Sequence, residues 1–187
     1  MPPSDAAVAL YHQRLENLRG RTSSALVTMW DDLDNYTDAD LEAFTARAAP
    51  LLAGAKAATV ATAAAFFALA MSTRPAPVAA KDVPVEPRIT HPFLATWHAL
   101  KEGRPLPDAI AAGRSQAEAV GFDFVQSTSR QTGDYVAKSS GQSVKWRRIP
   151  NPGACSWCSN VARRTYRTSA AANFGHDRCF CITAPAT

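Results

Sequence analysis

Small and apolar residues recur at Val8, Tyr11, Leu15, Leu18, Thr22, Leu26, Met29 and Leu33, in steps of three and four. That spacing returns to one side of a 3.6-residue helix and predicts an amphipathic helix of about thirty residues. Trp30 widens the stripe and Gly20 weakens its middle slightly. Ser4-Asp5 supplies an N-cap and an acidic first turn. His12 falls on the polar side. A stripe this long needs cover, from a neighbouring helix or from another protein.

Asp31, Asp32, Asp34 and Asn35 end this helix, and Thr37 with Asp40 forms a variant of the capping box that opens the next. Leu41, Phe44 and Ala48 give that helix its apolar side. Pro50 either stops or kinks it, or starts a third helix running to Met71. The uncharged stretch from Ala57 to Met71 is about fifteen residues, short of the roughly 20 that a bilayer needs. It therefore reads as a buried helix, not a membrane span.

Residues 73–92 change character, with Pro75, Pro77, Pro84, Pro87 and Pro92 among small and charged residues. Proline at this density blocks helix and favours extended chain. The stretch is expected to be a linker or extended arm between a helical region at 4–72 and a second at 93–138. A disordered linker and an arm that buries Val83, Val85 and Ile89 are both compatible with it. Helical spacing resumes at Phe93, Leu94, Trp97 and Leu100. Pro107-Asp108 starts another helix, and a further run extends from Arg114 towards Ala137, with Gly121 and Gly133 blurring its limits. The period then changes to two. Val144, Trp146 and Arg148 alternate with Ser143, Lys145 and Arg147, as in a half-exposed strand. The expected fold is mainly α, with a small α+β module at 142–183.

Composition refines this picture. With 187 residues and 47% hydrophobic side chains the chain can bury a core. Its net charge of +4 is uneven: residues 142–187 hold seven basic side chains and one acidic, the remainder thirteen and fifteen. Lys145, Arg147, Arg148, Arg163, Arg164 and Arg167 are candidate contacts to nucleic acid. A solvated basic face is the plain alternative. The first residues lack the basic and apolar segments of a secretion signal, so synthesis in a reducing cytoplasm is expected.

All four cysteines lie in that C-terminal module: Cys155 and Cys158, then, after seventeen intervening residues, His176, followed by Cys179 and Cys181. A tight C-x2-C turn brings two sulfurs together, and a later His/Cys cluster completes a tetrahedral zinc site. Five candidates compete for four places. Cys155, Cys158 and His176 with either Cys179 or Cys181 make the preferred set, and Asp177 is placed to orient the histidine or an arginine. Disulfides and buried thiols remain alternatives. Trp146 and Trp157 flank the cluster, to build its core or to stack bases.

Catalytic arrangements fare worse. The chain has no H-x-E ahead of its C-x2-C, no H-E-x-x-H, no G-x-S-x-G and no Walker-type loop. A thiol nucleophile based on His176 leaves the clustering of the cysteines unexplained. No catalytic residues, and no enzyme, are expected.

The run from Val144 through Cys155 and Cys158, the segment Ala162 to Tyr166, and Phe174 to Cys181 resemble the C-terminal part of MuF-like minor head proteins of tailed bacteriophages. The motif resemblance covers about residues 143–183; upstream it is architectural. Asp177 stands where proline is common in that family. The resemblance implies a structural virion component inside the head, present in several copies around the portal. It implies a role in head assembly or DNA delivery, with contacts to the portal, other head proteins and packaged DNA. With the chain ending at Thr187, no additional enzymatic or toxin domain is expected. A zinc-stabilised nucleic-acid-binding module outside any virion is the competing reading, and a thiol or metal-dependent enzyme the third.

Overall fold

The computed structural model describes residues 3–73, 77–141, 143–151, 154–167 and 181–186. Helix α1 spans Asp5–Asp31, its N-terminus closed by Ser4, whose hydroxyl accepts from the Ala7 N–H at 3.2 Å. Its last turn carries Asp31 and Asp32, the wrong charge for a helix C-terminus. Arg114 and Arg47 answer them, at 2.9 Å and 2.6 Å, from two other helices. Both pairs are about half-exposed, so each contributes at most about 1 kcal/mol.

Helix α2 spans Asp38–Ala70. Thr37 and Asp40 form the expected capping box: Asp40 accepts from the Thr37 N–H at 2.9 Å, and Thr37 Oγ1 accepts from the Asp40 N–H. The Thr37 N–H and the Thr37 hydroxyl both donate to the Asp40 carboxylate and hold it below its ordinary range. Pro50 neither ends the helix nor begins another; it sits on the exposed side of one continuous helix. Water can serve the carbonyl that loses its partner there. By length and composition α2 is long and apolar enough to cross a bilayer, but in this fold one side of it lines the core.

Helix α3 spans His91–Lys101 and α4 spans Leu106–Ser139. The two runs expected after Pro107 are thus one helix, unbroken at Gly113, Gly121 and Gly133. Helix α4 packs against α1, α2 and α3. The proline-rich stretch leads through a short 3-10 turn at Ala80–Asp82 into an extended arm. Val83 and Val85 of the arm are buried, and Lys56 Nζ donates to the Val85 carbonyl at 3.0 Å.

Two apolar clusters fill the bundle. One joins Leu26, Trp30, Phe44, Leu52, Val83, Phe93 and Phe124, so helices on both sides of the proline-rich stretch share it. Trp30 is its centre, edge-on to Phe44 and Phe93 at 5.9 and 4.9 Å. The other joins Tyr11, Phe66, Phe67, Val125, Val136, Trp146, Ile182 and Ala184. There Tyr11 stacks on Phe66 at 4.0 Å, and Phe67 meets Trp146 edge-on at 5.7 Å. The second cluster is where the C-terminal sheet is fastened to the helices.

That sheet has order β2-β1-β3, with β1 Lys145–Ile149, β2 Thr165–Tyr166 and β3 Ile182–Ala186, all antiparallel. A short helix, α5, spans Ser156–Val161 between β1 and β2. Pro185 is tolerated because β3 is an edge strand.

His12 is buried, with neither ring nitrogen hydrogen-bonded, and is not on a polar surface as the helical wheel implied. Desolvation, the main cause, pushes its pKa below the ordinary imidazole value; Glu16 opposes this and Arg19 adds to it. A free imidazole titrates near about 6.5, so the unfolded chain takes up the proton first. Stability is therefore complete above that pH and is lost as pH falls below it. Urea midpoints from about pH 8 to pH 5.5 are expected to fall, and His12→Gln to flatten part of that fall. Superimposable pH profiles would remove His12 as a cause.

Candidate metal centre and basic face

Strand β1 is the platform of the C-terminal module. Its alternation of two holds: Trp146 and Arg148 are buried, Lys145 is exposed and Arg147 half-buried. After Ile149 the chain turns towards Cys155, the N-cap of α5, and Cys158 lies within that helix. Cys155 is exposed and Cys158 is 1% exposed. The Tyr166 hydroxyl donates to the Val161 carbonyl at 3.3 Å and closes the loop from α5 to β2.

Cys181 lies at the other end of the motif, directly before β3, and is 2% exposed. The register pairs Ile149 with Ile182. The chain thus leaves β1 towards Cys155 at the same end of the sheet where Cys181 leads into β3. Antiparallel pairing thus brings Cys181 to the end of the sheet from which the chain leaves for Cys155.

His176, Cys179 and Asp177 lie outside the described residues. Among the described residues no three His, Cys, Asp or Glu side chains form a group fit to hold a metal ion. The donor types nevertheless fit zinc: thiolates and an imidazole suit it, and would not suit magnesium or calcium. A zinc ion held by Cys155, Cys158, His176 and one of Cys179 or Cys181 would supply a cross-link between the α5 turn and the β3 end.

A buried polar relay fixes the Cys181 end. Gln126 of α4 donates through Nε2 to the Cys181 carbonyl at 3.0 Å. Arg19 of α1 donates to Gln126 Oε1, and its guanidinium lies 5.0 Å from the centre of the Phe122 ring. Arg19 is 1% exposed. Sequence reasoning missed this relay. Arg19 falls beside the apolar stripe of α1 with no marker to separate it from surface arginines, and its partners lie over a hundred positions away.

The six basic candidates do not share one surface. Lys145, Arg163, Arg164 and Arg167 are exposed and Arg147 is half-buried. Pairing of Arg147 with Thr165 and Trp146 with Tyr166 places Arg164 and Arg167 at either end of the strand beside β1. Arg148 is the exception: it is 2% exposed, with its guanidinium 5.4 Å from the centre of the Trp157 ring. The β1 pleat turns it inward, where it cannot meet a phosphate backbone. Trp146 is a core residue against Phe67, and Trp157 is 40% exposed beside Arg148.

Among known proteins, the family model described as VG15 protein matches residues 2–187. The match points to a phage-encoded protein. No curated protein and no solved structure matches the chain significantly.

Proposed function

The chain belongs to the VG15 protein family, and from that premise we propose that it is a minor head protein of a tailed phage, structural and not enzymatic. It sits inside the head against the portal, in several copies around the ring, and aids head assembly or the packaging and ejection of DNA. It is made in the host cytoplasm and reaches the virion by assembly. The observation that carries this reading is the C-terminal module. Its C-x2-C and H-x2-C-x-C halves resemble the MuF-like pattern, and the sheet register puts Cys181 at the end from which the chain leaves β1 for Cys155.

In this reading the helical bundle docks on the portal or a neighbouring head protein, and the zinc clasp braces the module. Lys145, Arg147, Arg163, Arg164 and Arg167 face the packaged DNA. Quantitative mass spectrometry of purified particles tests the assignment: a few copies per particle are expected, and complete absence from particles would sink it. Metal analysis of the purified chain is expected to find about one zinc, and Cys158→Ser to lose it. A metal-free wild-type protein would remove the clasp.

The exposed arginines favour a second reading, a nucleic-acid-binding module with no virion role. Both readings expect salt-dependent DNA binding, and replacing Arg163, Arg164 and Arg167 by alanine should lower the salt slope by up to about three. Detection in particles separates the two.

A further inference from the structure

After Trp30, the largest fully buried side chains among the described residues are two arginines, Arg19 and Arg148. A buried guanidinium carries a desolvation cost that only specific contacts offset. Both arginines lead to the cysteine motif. The Arg148 guanidinium lies over the ring of Trp157, the neighbour of Cys158 in α5. Arg19 donates to the Gln126 side-chain oxygen, and Gln126 Nε2 donates to the Cys181 carbonyl at 3.0 Å.

Cys181 is thereby held from two sides. Immediately after it, Ile182 pairs with Ile149 of β1, so the sheet fixes the chain as it enters β3. Its own carbonyl is fixed from the helical bundle, through α4 and α1. Those two helices are closely docked, with Ser23 Oγ of α1 donating to the Glu118 carbonyl of α4 at 2.8 Å. A carbonyl at a strand end can be served by water. Here it takes a glutamine backed by a buried arginine, which is more than a strand end requires. The arrangement sets the main chain of a candidate metal ligand whose side chain is almost wholly buried.

We propose that Cys181, in place of Cys179, completes the zinc set with Cys155, Cys158 and His176, and that Gln126, backed by Arg19, is its positioning residue. The proposal rests on the zinc clasp proposed above and adds its fourth ligand and the support behind it. A ligand whose main chain is already fixed gives up little freedom on binding, and that saving appears as affinity. Hydrogen-bonding partners behind a metal ligand are worth about 10- to 100-fold in metal affinity. Zinc held by three thiolates and a neutral imidazole is a negatively charged centre, to which the positive charges of Arg19 and Arg148 are suited.

The test is the zinc affinity of the full chain, measured by competition with a chromophoric chelator. Cys179→Ser should bind nearly as tightly as the wild type, and Cys181→Ser at least about 100-fold more weakly. Gln126→Glu keeps an acceptor for Arg19 but has no proton for the Cys181 carbonyl, and Gln126→Leu loses both bonds. Each should still take zinc, about tenfold or more weakly. Val120→Ala, in the other apolar cluster, should lower stability and leave zinc affinity unchanged. With cobalt in place of zinc, the sulfur-to-metal charge-transfer band reports the bound thiolates. It should weaken in Cys181→Ser and keep its intensity in Cys179→Ser and Gln126→Glu. Wild-type affinity in Gln126→Glu, an equal loss in Val120→Ala, or a greater loss in Cys179→Ser than in Cys181→Ser would overturn the proposal and leave the clasp standing. A wild-type chain that binds no zinc would remove both.

Discussion

Trp30→Ala is expected to lower stability by about 3–5 kcal/mol, the range for deleting a large buried aromatic side chain. Trp30 is fully buried and touches rings from three directions: Tyr36 at 5.1 Å, Phe44 and Phe93. Its Nε1–H donates to the Ile110 carbonyl at 3.3 Å, so truncation also leaves a carbonyl of α4 short of a donor. For a chain of this size the melting temperature should fall on the order of 10 °C. Trp97 is 39% exposed, so Trp97→Ala should cost less than half as much. Urea unfolding of the two variants is the measurement, and comparable losses would show that the Trp30 cluster is not the shared core. Because that cluster joins helices from both sides of the proline-rich stretch, the loss should appear in one transition spanning α1 to α4.

Gly121→Ala should be the next most damaging, at about 1–3 kcal/mol, through overpacking and not through a cavity. A methyl group there would lie 2.8 Å from the Cα and backbone nitrogen of Ser23 on α1. Backbone cannot rotate away as a side-chain tip can, so α1 and α4 would have to separate. That movement would also break the bond from Ser23 Oγ to the Glu118 carbonyl, now 2.8 Å. The same substitution at Gly54 meets nothing within 4 Å. There alanine's better helix propensity should act alone and stabilise by up to about 1 kcal/mol. Melting curves of the two variants should therefore move in opposite directions. A neutral or stabilising Gly121→Ala would mean that α1 and α4 do not approach as closely as described. Gly113 behaves in the same sense, since a methyl group there would overlap Trp30 and Thr96.

Most of the helical architecture was legible in the residues. The three-and-four spacing from Val8 to Leu33 becomes α1, and the Thr37–Asp40 box opens α2 as expected. The two-residue period around Trp146 becomes β1. These features depend on neighbours within a few positions, where side-chain direction and capping bonds act. Breaks were read less well. Pro50 and the three glycines of α4 marked boundaries that the structure does not have. Local propensity disfavours each of them by a few kcal/mol at most, and packing along the whole helix outweighs that. At Gly113 and Gly121 the apparent weakness is what lets neighbouring elements come close.

The candidate site divides in the same way. Spacing alone singled out Cys155, Cys158, His176, Cys179 and Cys181, because metal chemistry restricts both ligand types and turn lengths. Only the pairing of Ile149 with Ile182 puts Cys181 at the end of the sheet from which the chain leaves for Cys155. Charge counting singled out six basic residues, but the pleat withdraws Arg148, half-buries Arg147 and leaves the other four outside. Arg19 and His12 carried no mark in the sequence. A charged side chain reads the same whether it faces water or a protein interior, until distant segments close over it. The amino-acid sequence by itself therefore determined the helices and the strand period, both short-range properties. The tertiary structure decided which charges are buried, which glycines are contact points and which carbonyl Gln126 holds, because each depends on segments tens of residues apart coming together.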